Sequence, residues 1–158
     1  MTEPPTPEQV ALWQRRLASQ ANNRAWTLSE LSSRTREEDD EMLEAANAAM
    51  YFWSIVGNAN NRAHAALLLA HAYALLGQGD AAKRYFAKAQ PFFFGEEADS
   101  GDRAIGHAVA ANIAAASGER EAHASHYAEA ARLIAALPGE QDRAILGATL
   151  RVIPAPSK

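Results

Sequence analysis

The sequence contains no cysteine, no long apolar run and no excess of positive charge. Without cysteine, a disulfide scaffold, a thiolate metal site and a cysteine nucleophile are all excluded. The longest apolar stretch, residues 63–76, is interrupted by His64, His71 and Tyr73. It therefore falls short of the roughly 18 unbroken apolar residues that a membrane-spanning helix needs. The formal net charge of −4 argues against general nucleic-acid binding, which usually requires a basic face. We expect neither nucleic acid nor membrane as a partner.

Sequence motifs for targeting and catalysis are also lacking. Residues 1–5 carry an acid and two prolines where a secretory signal carries positive charge followed by an apolar run, which predicts a cytoplasmic protein. The chain contains no glycine-rich phosphate loop, no GxSxG turn and no HExxH helix motif. We therefore expect a protein that is not an enzyme and that has no cofactor.

Alanine is the most prominent residue, with 37 copies among 158 residues. Because alanine is the best helix former and lets helices approach closely, we expect one all-α domain over residues 1–158. The proline-containing ends, residues 1–5 and 154–158, are expected to be flexible tails.

Capping residues and glycines mark the expected helix boundaries. Thr6 and Thr35 each begin a capping box, and the acidic run after Thr35 suits the positive end of a helix dipole. The pattern leaves open whether residues 7–33 form one helix or two. Further helices are expected over residues 36–57, 60–76, 79–93, 102–117, 119–137 and 141–152.

A spacing of large, small, aromatic and glycine residues occurs twice in the middle of the chain. The first copy consists of Leu69, Ala70, Tyr73, Gly77, Ala82, Phe86 and Ala89. The second, weaker copy consists of Ala110, Ala111, Ala114, Gly118, Tyr127 and Ala130. This spacing resembles the tetratricopeptide repeat (TPR). Ala114 and His123 depart from the pattern, and the period from Leu69 to Ala110 exceeds the usual length of about 34 residues.

The resemblance implies tandem antiparallel helical hairpins, a TPR-like α-solenoid with about three hairpins and a C-terminal helix. It also implies an interaction module or a self-associating scaffold for a protein or peptide partner. A short stack with exposed ends is compatible with a homodimer through a terminal hairpin. In such proteins the first helix of each hairpin lines a concave groove. The groove residues implied here are His64, Leu67, His71, Ala74, Leu75, Ile105, Ala108 and Asn112.

The alternative function is a small-molecule or metal-binding helical protein that uses histidines on helix faces. His64 and His71 are two turns apart on one stripe, and His123 and His126 are three residues apart. A two-histidine metal pair uses such spacing, but no third ligand is identifiable from the sequence, and we predict no metal site. His107 is expected to stand alone at a surface or an interface.

Aromatic residues are expected mainly to pack. Phe92, Phe93 and Phe94 are expected to seal the space above the next hairpin, with an exposed anchor for a partner as the alternative. Trp13, Trp26 and Trp53 are expected to be packing residues as well.

Overall fold

Seven α-helices form the structure, a computed structural model that describes residues 3–158. The helices are α1 (Pro7–Ser29), α2 (Arg36–Val56), α3 (Ala59–Leu75), α4 (Gly79–Phe93), α5 (Ser100–Ala116), α6 (Arg120–Ala136) and α7 (Glu140–Arg151). No strand occurs among the described residues. None of their helices is long and apolar enough to cross a membrane. The all-α prediction is confirmed; of the predicted N-terminal tail, Met1 and Thr2 lie outside the described residues.

The two predicted threonine caps both form complete capping boxes. The Thr6 hydroxyl accepts from the backbone N–H of Gln9, and the Gln9 side chain accepts from the backbone N–H of Thr6. Thr35 and Glu38 exchange the same two bonds. These bonds satisfy N–H groups that have no partner inside the helix, so each helix starts at the residue after its threonine.

Residues 7–33 contain one helix and not two, namely α1. It continues through Asn22 and Asn23 to Ser29, because α2 packs along it. The exposed Arg24 guanidinium also lies 2.6 Å from the Glu41 carboxylate of α2. Packing between helices outweighs the weak helix propensity of two asparagines.

The helices pack as three sequential hairpins, α1–α2, α3–α4 and α5–α6, followed by α7. Helices α3 and α5 each contain 17 residues. Their first residues, Ala59 and Ser100, are as far apart in the sequence as Leu69 and Ala110, the first residues of the two copies of the repeated spacing. Each helix is followed, two residues after its last residue, by a glycine with positive φ, 74° at Gly77 and 72° at Gly118. The predicted hairpin repeat is confirmed. Its period in the structure equals the long period of the repeated spacing in the sequence.

Alanine and glycine let the helices approach one another closely. Ala82, Ala89, Ala108, Ala111 and Ala130 are fully buried. A Cβ on Gly106 would lie 3.0 Å from the side chains of Phe93 and Phe94, so glycine makes room for these two rings. Phe93 is fully buried and Phe92 and Phe94 are half-buried, which confirms that this cluster packs between hairpins.

The first hairpin keeps several large apolar side chains on its surface. Trp26 and Trp53 are partly buried as expected, but Trp13 is 50% exposed, so the prediction that Trp13 packs is wrong. Within residues 3–158, α2 and the other helices leave half of the Trp13 side chain uncovered. Leu12, Leu17, Tyr51 and Ile55 are exposed on the same hairpin.

Candidate functional site

The six principal residues of the predicted groove fall into three pairs. His64 and Ile105 line a cleft at one end of the α3–α5 interface. Leu75 and Asn112 line a second pocket at the other end of this interface. Leu67, His71 and Ala108 are buried between the two openings, and Ala74, although buried, lines the second pocket beside Leu75. Buried side chains do not contact a partner in this conformation. The predicted groove is therefore accessible at its two ends and inaccessible in its middle.

A buried polar pair lies where the inaccessible middle meets the second pocket. The Asn112 Nδ2 amide donates to His71 Nδ1 at 3.0 Å and lies 3.4 Å from the His71 carbonyl oxygen. The His71 ring lies 5.7 Å from the Trp26 ring, and its Nε2 has no partner among the described residues. Burial, together with the charge of Arg34, lowers the pKa of His71 to about 3. His71 is therefore a neutral core residue at neutral pH.

The cleft lies between α1, α3, α5 and α7 and has a volume of about 680 Å³. Its apolar lining comes from α1, α5 and α7 and from the end of α6, and comprises Trp26, Ile105, Leu137, Ile145 and Leu146. Ile145 is 53% exposed. A concave surface of this size, with apolar walls and a few polar groups, is the usual form of a ligand-binding site.

The polar lining of the cleft is predominantly acidic. Glu30, Asp99, Asp102 and Asp142 contribute carboxylates, and no lysine or arginine among the described residues lines the cleft. His64 Nε2 lies 3.9 Å from Asp102 Oδ1, and His64 Nδ1 lies 3.0 Å from the Asn60 carbonyl oxygen. Asp99 and Asp102 form the capping box of α5, in which each carboxylate accepts from the other's backbone N–H.

The second pocket, which we call the tail pocket, has a volume of about 450 Å³ and lies beside the C-terminal residues. Arg34, His123, Pro154 and Ser157 contribute to its lining, and no carboxylate side chain of the described chain does. Arg34 Nε donates to Asp39 at 2.6 Å, and the Pro154 carbonyl oxygen lies 2.7 Å from His123 Nε2. The two openings therefore differ in the charge of their linings, although they lie on the same helix interface.

The histidines of the pairs considered from the sequence lie in different surroundings. His64 and His71 occupy different environments, the cleft and the core, and His123 bonds to Pro154. No group of three or more metal-ligating side chains occurs within residues 3–158. His123 and His126 lie on the same helix but have different partners. His123 contacts Pro154 near the C-terminus, and His126 contacts His107 of α5.

His107 does not stand alone, which corrects the prediction made for it. Its Nδ1 lies 2.9 Å from the Nδ1 of His126, and the ring of Phe94 lies 4.7 Å from the His107 ring. Burial lowers the pKa of His126. Burial and, to a smaller extent, the neighbouring His126 lower the pKa of His107. Because the two histidines lie on separate helices, no local spacing in the chain indicates this contact.

Sequence reasoning missed the residues that α1 and α7 contribute to the cleft. It predicted only packing for Trp26 and did not single out Leu137, Asp142, Ile145 or Leu146. A helical wheel of α7 places Asp142, Ile145, Leu146 and Thr149 on one face, which was the available signal. The sequence does not indicate that this face would be turned toward α1.

Comparison of the chain with protein-family models, with curated proteins and with solved structures finds no match.

Proposed function

We propose that this protein is a non-enzymatic interaction module of TPR-like type and that a segment of a partner protein binds in the cleft. The observation that supports this most directly is the cleft itself, where the repeated helices α3 and α5 present His64 and Ile105 beside the exposed Ile145. An apolar side chain left at the mouth of a concave site is typical of a contact surface.

The repeated hairpins support the TPR-like part of the proposal. Residues at equivalent positions of the two copies meet one another: His71 contacts Asn112, its counterpart in the second copy. His64 and Ile105, which are also counterparts, line the same cleft. Stacking of successive repeats in this way builds one continuous face from first helices, and binding proteins of this architecture use that face.

A small-molecule binding function is the second candidate. The volume of the cleft, about 680 Å³, lies within the range of pockets that enclose drug-sized ligands. Trp26 and His64 provide an aromatic surface and a hydrogen-bonding ring in its lining. We expect such a ligand to co-purify with the chain and to appear in native mass spectrometry as an additional mass that is lost on denaturation.

The proposal is tested by changing one exposed side chain of the cleft. A random peptide display library is selected against the wild-type protein, and the affinities of the enriched peptides are measured by fluorescence polarisation. We expect Ile145→Ser to weaken their binding about tenfold, because serine removes most of the apolar surface that the isoleucine side chain contributes to the contact and leaves the charge of the cleft unchanged.

Ile55→Ser is the matched control. Ile55 is 48% exposed, against 53% for Ile145, but lies on α2 outside the cleft. Circular dichroism establishes that both variants keep the wild-type helix content. Peptides that bind all three proteins equally, or a library from which nothing is enriched, would contradict the proposed function.

A further inference from the structure

The cleft combines negative charge with an apolar surface. Four carboxylates line it, those of Glu30, Asp99, Asp102 and Asp142. Helices α5 and α7 begin beside the cleft, and each helix N-terminus contributes about half a positive charge. The Arg143 guanidinium, which donates to the carbonyl oxygen of the lining residue Leu137, adds one positive charge nearby. Four carboxylates outnumber these positive groups, so the lining keeps a net negative charge.

The four carboxylates are not equally free to bind a partner. Asp99 and Asp102 are held by the backbone N–H groups of the α5 capping box, and Asp102 also faces His64. Glu30 and Asp142 are exposed and have no ion pair within residues 3–158. These two are the carboxylates that an incoming cation can reach without breaking an existing contact.

A threonine and an aromatic ring complete the lining. Thr149 is 2% exposed and lines the cleft, and its hydroxyl is not among the buried polar atoms without a hydrogen-bond partner in residues 3–158. Trp26, which also lines the cleft, is the aromatic side chain that interacts most favourably with a cation above its ring.

We propose that the cleft binds a basic peptide segment, in which a lysine or arginine side chain follows or precedes an aliphatic residue. This inference rests on the function proposed above and names the chemistry of the partner. The cation lies between Glu30 and Asp142 at the rim and the aliphatic side chain contacts Ile145 and Leu146.

The test uses two double variants that remove the same charge. Glu30→Gln with Asp142→Asn removes the two unpaired carboxylates of the cleft. Glu44→Gln with Glu97→Gln removes two exposed carboxylates elsewhere and serves as the control. The peptide library is selected against wild-type protein and against each double variant, and affinities are measured at low and high sodium chloride concentrations.

We expect wild-type protein and the control to enrich peptides with lysine or arginine beside leucine, isoleucine or valine. The cleft variant should bind these peptides about five- to tenfold more weakly and lose part of the salt dependence, since two exposed ion pairs are removed. Peptides that bind through Ile145 but carry no excess of basic residues would overturn this inference and leave the proposed function intact. Equal affinity of the two double variants for basic peptides would also overturn it.

Discussion

At the scale of single residues, one buried histidine makes folding dependent on pH. His71 has no exposed surface and receives one hydrogen bond on Nδ1, from Asn112, so its proton lies on Nε2. Protonating Nδ1 would break that bond and place a charge in an apolar core. The pKa of His71 in the folded protein is therefore lowered to about 3, against 6.5 in the unfolded chain.

From this difference we predict a loss of stability in mild acid. Below pH 6.5 the unfolded chain binds a proton at His71 that the folded protein does not bind. The stabilisation is complete above pH 6.5 and is lost as the pH falls from 6.5 toward 3. Over the middle of this range the free energy of unfolding falls by about 1.4 kcal/mol per pH unit for this one group. Urea unfolding of wild type and His71→Gln between neutral and mildly acidic pH measures the difference in slope.

Titration of His71 by NMR in the wild-type protein gives an independent check. Its ring signals should not shift down to about pH 4.5, whereas an ordinary histidine is fully protonated there. A titration midpoint near 6.5 would show that folding does not lower the pKa of His71 and would contradict the prediction, whatever the stability of the variant.

At the scale of helices and turns, two glycines set the repeat. At Gly77 and Gly118 the chain leaves α3 and α5 with positive φ, and the following residues, Gln78 and Glu119, donate backbone hydrogen bonds to Tyr73 and Ala114 at 2.9 Å. This is the Schellman arrangement, which satisfies carbonyl groups at the end of a helix. The turn directs α4 and α6 back along α3 and α5.

We predict opposite effects for two glycine-to-alanine changes. Gly77→Ala should lower the free energy of unfolding by about 1 kcal/mol, because an alanine at positive φ is strained even where its methyl group has space. Gly147→Ala, within α7, also meets open space but lies in a helix, so it should raise stability by up to about 1 kcal/mol. Urea denaturation at neutral pH compares both with wild type, and a stabilising Gly77→Ala would contradict the assigned turn.

At the scale of the whole molecule, the two ends of the stack differ. Helix α7 and the C-terminal residues cover the last hairpin, with Ile153 buried and Pro154 bonded to His123. The first hairpin has no comparable cover among the described residues and exposes Trp13, Leu17, Tyr51 and Ile55. The predicted homodimer through a terminal hairpin, which stays a prediction, would use this first hairpin.

Native mass spectrometry and sedimentation velocity test this expectation. We predict a concentration-dependent dimer for the wild-type chain and a loss of dimer for Trp13→Ser with Leu17→Ser, because these changes remove apolar area from the exposed face. Ile145→Ser is the control outside the first hairpin. A wild-type protein that is monomeric at all concentrations would exclude the dimer, and an additional mass lost on denaturation would support the small-molecule candidate.

The sequence by itself determined the helices and their pairing. Thr6, Thr35, Gly77 and Gly118 act through hydrogen bonds between residues close together in the chain, so their effect is visible in a linear pattern. The repeat period likewise follows from local spacing. These features predicted the all-α class, the hairpins and nearly all of the helix bounds.

Tertiary structure alone decided which surfaces are open. Whether His71 faces a partner or the core depends on Asn112 and Trp26, which belong to other hairpins and are distant in the chain. The cleft exists because α7 returns against α5 and α6, opposite α1. The angle and depth of that return depend on packing among residues distant in sequence. Helical periodicity identifies an apolar face, but it carries no information about which other helix covers that face.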